Sequence, residues 1–202
     1  GGEGLGAAHG TESAGGHTLS GTAEGDARRL GDTPGVGDSA RRLKRQNGFG
    51  LLVIDYIQLI GGSAKNNGNR VQEVTEVTVG LKSLAKELKI PIIALSQLSR
   101  KVEERQDKRP QLSDLRESGS IEQDADVVMF VFREEYYVER SKPQENDYQA
   151  FQDWQTKLSA VAGKAEIILD KVRGGTVGIC NVAWSGERTQ FSNLAISERA
   201  MS

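Results

Sequence analysis

Nine residues, Leu51–Leu59 (LLVIDYIQL), limit what this chain can fold into more than any other stretch. Four consecutive apolar residues, Leu51–Ile54, run straight into Asp55. Such a run suits a strand buried on both faces, as in a parallel sheet covered by helices on each side. A lone carboxylate where the strand ends is costly if it is buried and unpaired. It makes sense where it meets a cation, and in open α/β sheets ligands bind at the carboxyl ends of the strands. Asp55 therefore reads either as a carboxylate that holds Mg²⁺ through water beside a nucleotide or as a strand-end residue capping the next turn. Four apolar residues and one Asp do not decide between the two.

The chain has 202 residues, enough for one α/β domain with its own core. Its hydrophobic content of 37% and mean hydropathy of −0.47 belong to a water-facing globule, with no apolar run long enough to span a bilayer. No apolar segment of the signal-peptide kind stands near the N-terminus, so a cytoplasmic location is expected. The single cysteine, Cys180, excludes a disulfide within the chain and a zinc site built from cysteines. A net charge of −2 favours no class of partner, so any phosphate contact must come from local basic loops.

Along the chain, composition changes near residue 40. More than half of the 24 glycines precede Leu51, and residues 1–39 carry no helical or strand period, which predicts a disordered Gly-rich segment. A folded domain is expected over 40–197, followed by a tail at 198–202. A short basic helix is predicted over Ala40–Gln46, ended by Asn47-Gly48. The spacing of Val71, Val74, Thr78, Leu81, Leu84, Ala85 and Leu88 predicts a long helix over Arg70–Lys89 that absorbs Gly80 and stops before Pro91. Buried strands are expected at Ile90–Leu95 and Val127–Phe132, and further strands at Glu166–Leu169 and Ile179–Trp184. A helical turn at Ile121–Asp126 and an amphipathic helix over Gln144–Ala162, with Tyr148, Phe151, Leu158 and Val161 on one face, complete the pattern. Strands separated by helices or long loops point to a mostly parallel sheet flanked by helices. The mixed charges of Lys101–Arg109 read as solvated surface, Asp124 and Asp126 as residues orienting the strand at Val127, and Trp154 and Trp184 as packing residues.

The stretch Pro91–Tyr137 (PIIALSQLSRKVEERQDKRPQLSDLRESGSIEQDADVVMFVFREEYY) resembles the C-terminal motor domain of DnaB-type replicative DNA helicases. LLVIDYIQLI resembles that family's Walker B motif, ARRLKRQNG the helix ahead of it, and FSNLA at 191–195 also fits. The likeness spans roughly 40–195, in the family's order. It implies a RecA-like α/β fold, incomplete here on its N-terminal side. It implies that Asp55 holds Mg²⁺ and that Gln97, in Ser96-Gln97-Leu98, senses the terminal phosphate of ATP. Arg116, Glu117 and Gly119 match the loop that touches the ssDNA backbone, where Gly allows close approach and Arg supplies a forked donor. Lys171 and Arg173, in DKVRGG, match the basic pair that a subunit extends into its neighbour's ATP site, the arginine acting as a finger. The family pattern is closer to KQRxGP, so Val172 and Gly175-Thr176 depart from it.

The resemblance also implies a phosphate-binding loop, G-x-x-x-x-G-K-S/T, upstream of the Walker B strand, and no such motif stands in the residues before Leu51. Without a backbone N–H cradle and its lysine, affinity for a triphosphate collapses, so this chain alone is expected to lack ATPase activity. Residues 1–38 fit the out-of-frame or otherwise non-native reading of a GC-rich gene, fused to a helicase remainder. The implied whole is a homohexameric helicase using ATP and Mg²⁺ to move 5′-to-3′ on ssDNA, with primase and a helicase loader as partners. Two alternatives stay open: a non-catalytic ssDNA-binding or subunit-interaction fragment, and another RecA-like ATPase such as a recombinase or clock-type ATPase.

Overall fold

The computed structural model describes residues 35–60, 69–144 and 146–194. Helix α1 (Val36–Gln46) opens ahead of Ala40, so the segment expected to be disordered to residue 39 overlaps its first turn. Side chains explain the earlier start. Asp38 sits in the first turn, where the helix dipole favours a carboxylate, and Arg41 pairs with it at 3.1 Å. Arg41 also forks onto Glu87, Nε to Oε1 and Nη2 to Oε2 at 2.8 Å each. Residues 1–34 and 195–202 lie outside the described residues, as does nearly all of Gly61–Asn69, whose composition (GGSAKNNGN) reads as a loop.

Strand β1 (Leu52–Ile54) pairs in parallel with β2 (Ile92–Ala94), with Leu52, Val53 and Ile54 opposite Ile92, Ile93 and Ala94. Helix α2 (Arg70–Leu88) is the crossover between them, as a parallel pair requires. Asn69 caps it, accepting a hydrogen bond from Gln72, and Lys89 ends it in the left-handed region at φ +52°. Its apolar stripe, Val74, Val77, Leu81 and Leu84, closes over Leu52, Ile54, Ile57 and Ile90 as one core. Fully burying an aliphatic side chain contributes about 1.5–3 kcal/mol, so this stripe rather than helix propensity fixes α2.

The expectation of strands buried on both faces needs correcting. Val53 and Ile93, paired across β1 and β2, are 54% and 42% exposed, although Leu52 and Ile54 are buried. Successive side chains of a strand point to opposite faces, and α2 covers only one of them. Strand β3 (Val127–Phe132) alternates likewise: Val128, Phe130 and Phe132 are buried while Val127, Met129 and Val131 are about half exposed.

The second sheet has the order β3-β4-β5-β6 and is antiparallel throughout, so parallel pairing among the described residues is confined to β1 and β2. Its strands β4 (Lys164–Val172), β5 (Gly178–Ser185) and β6 (Gln190–Asn193) form a meander joined by short turns. The meander needs no crossover helices, which is why the connections after residue 172 are so short. Between β3 and β4 lie α4 (Glu134–Arg140) and α5 (Tyr148–Val161). Helix α5 starts later than Gln144, and of its expected face Phe151, Leu158 and Val161 are half buried while Tyr148 is 71% exposed. Trp154 donates to the Val138 carbonyl at 2.7 Å, and Trp184 packs on Phe191, both as packing residues.

The charged segment after Ser99 is not simply solvated. Arg105 grips Asp114, and Arg109 forks onto Glu166 of β4 at 2.8 and 2.6 Å while its guanidinium covers the Phe132 ring. Ion pairs thus tie the segment to the second sheet. No described helix is long and apolar enough to cross a membrane.

Candidate functional site

Parallel pairing sets Asp55 and Gln97 at the same end of β1 and β2. The Leu95 N–H donates to the Ile54 carbonyl at 2.9 Å, and the Ile57 N–H donates back to Leu95 at 3.0 Å. The chain therefore leaves both strands side by side, one exit carrying a carboxylate and the other Ser96-Gln97. Asp55 is exposed, so the cost of an unpaired buried charge does not arise there. Gln97 is exposed as well.

A residue that the sequence reading passed over holds this edge together. A short 3₁₀ turn at Ile57–Leu59 aims Gln58 across to the β2 exit. Its amide donates to Ser96 Oγ at 2.9 Å and to the Gln97 carbonyl at 3.4 Å, and its oxygen accepts from the Gln97 N–H at 3.2 Å. Only its place three residues after Asp55, on a tight turn, could have signalled this bracing role.

Leu112–Ser118 is a pair of short 3₁₀ turns kinked at Leu115 that leads into α3 (Gly119–Asp124). Arg116, Glu117 and Gly119 thus stand at the entrance to α3, and the side chains of 116–119 lie outside the described residues. At the other end of α3, Asp124 accepts from Thr78 of α2 at 2.7 Å. Asp126 contacts Lys82 of α2 and, at 3.3 Å, Arg173. Asp124 therefore ties the end of α3 to α2, and Asp126 ties the chain just ahead of β3 to α2 and to the turn after β4.

Lys171, near the end of β4, donates to the carbonyls of Glu122 and Gln123, and Arg173 donates to the Gln123 carbonyl at 3.3 Å. The Lys82 ammonium, and more weakly Arg173 and Lys171, hold the Asp126 carboxyl below its ordinary value. Lys171 and Arg173 are thus brought to the C-terminal end of α3. Asp55 and Gln97 are brought together at the end of β1 and β2.

Mg²⁺ is ordinarily held by one or two carboxylates plus substrate phosphates and water, and an exposed carboxylate at a strand end fits that use. A Mg²⁺–nucleotide site would need a carboxylate for the metal and a donor for the terminal phosphate, and Asp55 and Gln97 are the groups of those two kinds at this edge. A phosphate cradle of backbone N–H groups is the third, and no G-x-x-x-x-G-K-S/T sequence occurs in this chain.

A parallel strand pair with its crossover helix over one face and an antiparallel extension give the fold of the RecA-like helicase ATPase domains on which the chain superposes. One solved ATPase domain superposes with a TM-score of 0.63 at 41% identity, over 79% of this chain and 50% of that one. A DnaB-like replicative helicase, solved in a study of its interactions with primase, gives the same TM-score and identity over 34% of its length. The chain belongs to the DnaB-like helicase C terminal domain family, whose profile matches residues 32–193. It is 51% identical over 173 residues to the replicative DNA helicase DnaB of Rickettsia bellii, covering 82% of this chain and 34% of that protein. It is 48% identical over 170 residues to the replicative DNA helicase DnaC of Bacillus subtilis, again over 82% of this chain and 34% of the relative. The chain thus spans about a third of the length of the curated relatives it matches.

Proposed function

We propose that this domain is part of the motor of a cytoplasmic replicative DNA helicase that couples ATP hydrolysis to 5′-to-3′ movement on ssDNA. The observation that carries this reading is the joint exit of Asp55 and Gln97 from a parallel strand pair, braced by Gln58. In the motor, bound Mg²⁺–ATP supplies the phosphoryl group whose transfer to water releases the free energy for movement. Asp55 holds the metal through water, and Gln97, whose backbone Gln58 fixes, hydrogen-bonds the terminal phosphate. Arg116, Glu117 and Gly119 contact the ssDNA backbone without reading sequence, as movement along any strand demands. Lys171 and Arg173 reach the ATP site of the next copy in a homohexamer, where the arginine neutralises charge on the transferring group. Primase and a helicase loader are the partners of the assembled ring. The present chain, with no phosphate cradle in its sequence, is ATPase-deficient by itself.

Replacing the matching region of the Bacillus subtilis relative with residues 40–197 tests this. The chimaera is expected to hydrolyse ATP in the presence of ssDNA, and Asp55→Ala to abolish turnover while ssDNA binding persists. ATP turnover that survives Asp55→Ala would overturn the metal role. A chimaera that enters the ring and binds ssDNA but never turns over ATP would favour a non-catalytic interaction fragment instead.

A further inference from the structure

Two cations reach the Asp126 carboxylate from different directions. Lys82 reaches it from α2, and Arg173 reaches it at 3.3 Å from the turn that follows β4. The Arg173 backbone N–H also donates to the Asp126 carbonyl at 2.7 Å. Lys171 is held by the Glu122 and Gln123 carbonyls, at the end of α3 where unpaired carbonyls carry partial negative charge. The basic pair therefore sits in a negative socket made by the end of α3 and one carboxylate.

The two ion pairs of Asp126 differ in setting. Lys82 is only 23% exposed and fixes the carboxylate to α2, whereas the side chains of Arg173 and Asp126 are 56% and 58% exposed. An ion pair so open to water is weak and readily exchanged. A phosphate accepting the guanidinium fork makes shorter, charge-assisted bonds and outcompetes it. Asp126 can thus set the direction of Arg173 without trapping it.

We propose that Asp126 is a positioning residue for Arg173: anchored by Lys82, it holds the guanidinium at the end of α3, pre-aimed at the nucleotide site of a neighbouring copy. The proposal rests on the finger reading of Arg173 given above. It adds that α3, which begins at Gly119 directly behind the ssDNA-facing loop, offers its other end to the finger.

The test mixes this chain with the intact Bacillus subtilis helicase and confirms by co-purification that it enters the rings. Release of fluorescent ADP is then followed with and without aluminium fluoride, which mimics the transferring phosphoryl group. Asp126→Asn is expected to speed release of the aluminium fluoride complex by roughly tenfold or more, since small misplacements of a reacting group are costly. Release of fluorescent ADP alone stays unchanged, a split that a general loss of structure would not give. Asp126→Glu restores slow release, Lys82→Met acts in the same direction as Asp126→Asn, and Arg173→Ala combined with Asp126→Asn is no faster than Arg173→Ala. If Asp126→Asn releases the complex at the unsubstituted rate while Arg173→Ala is fast, the positioning role is overturned and the finger survives. If Arg173→Ala has no effect in rings that contain the chain, or the chain never enters rings, the finger reading fails and the proposal with it.

Discussion

Arg105 and Asp114 face each other in a two-pronged ion pair, Nη1 to Oδ1 at 2.9 Å and Nη2 to Oδ2 at 2.8 Å. Asp114 is only 5% exposed, and its carboxylate also accepts from the Gln111 N–H at 2.9 Å while its carbonyl accepts from Ser99. It is the hub that folds the charged segment after Ser99 onto the turn that leads toward α3.

Removing one partner of a buried pair leaves the other uncompensated, at a cost of about 3–5 kcal/mol. Arg105 is 30% exposed and recovers part of its hydration, so Asp114→Ala is expected to cost about 3 kcal/mol, at the low end of that range. Chemical denaturation of the two forms measures it. A loss no larger than that of an exposed pair would show that the hub is ornamental.

Gln58→Ala removes the brace on the β2 exit without touching Asp55 or Gln97. Each hydrogen bond lost is worth about 0.5–1.5 kcal/mol. The Gln97 amide, which donates to Gln58, is expected to exchange its hydrogen roughly tenfold faster, the equivalent of about 1.4 kcal/mol. Amides within α2 are expected to keep their protection, and equal acceleration there would mean global destabilisation instead.

Acid should act on the link between α1 and α2. The hydrogen bond from Arg41 holds the Glu87 carboxyl below its ordinary value of 4.5. A carboxyl depressed in the folded state stabilises the fold above its unfolded value, and that contribution disappears as pH falls through the folded value. Glu87→Gln is therefore expected to flatten the fall in melting temperature below about pH 4.5 and to leave the slope near neutrality alone. Melting curves from pH 3 to 7 check the sign.

Val127, Met129 and Val131 present an apolar row on one face of β3, each about half exposed, and Val53 and Ile93 do the same on the parallel pair. Exposed apolar rows on strands favour association. Met129→Lys is expected to lower the binding of an environment-sensitive hydrophobic dye and to raise solubility. Its effect on unfolding free energy should stay within about 0.5 kcal/mol, as for an exposed position.

Local patterning was enough to place most elements, and the reasons are visible in single residues. The period of Val74, Thr78, Leu81 and Leu84 predicted α2, and Asn47-Gly48 and Pro91 marked ends that the structure keeps. Helix α4 and strand β6 escaped because each is short and neither carries a strong period. Strands β1, β2 and β3 are less buried than their apolar runs suggest, because such a run does not reveal how many of its faces are covered.

The sequence by itself determined the family, the position of Asp55 at a strand end and the identity of the residues that resemble a motor's working parts. The strand end follows from the local apolar run, and the family and its matching residues from the resemblance of long stretches in the same order, neither of which needs long-range information. Only the tertiary structure decided that Asp55 and Gln97 leave adjacent strands, because register is set by α2 packing over both. Only the tertiary structure joined Asp126 to Arg173 and Gln58 to Ser96-Gln97. Contacts between residues some 40 to 50 positions apart depend on how strands and helices pack, and one-dimensional spacing does not record that.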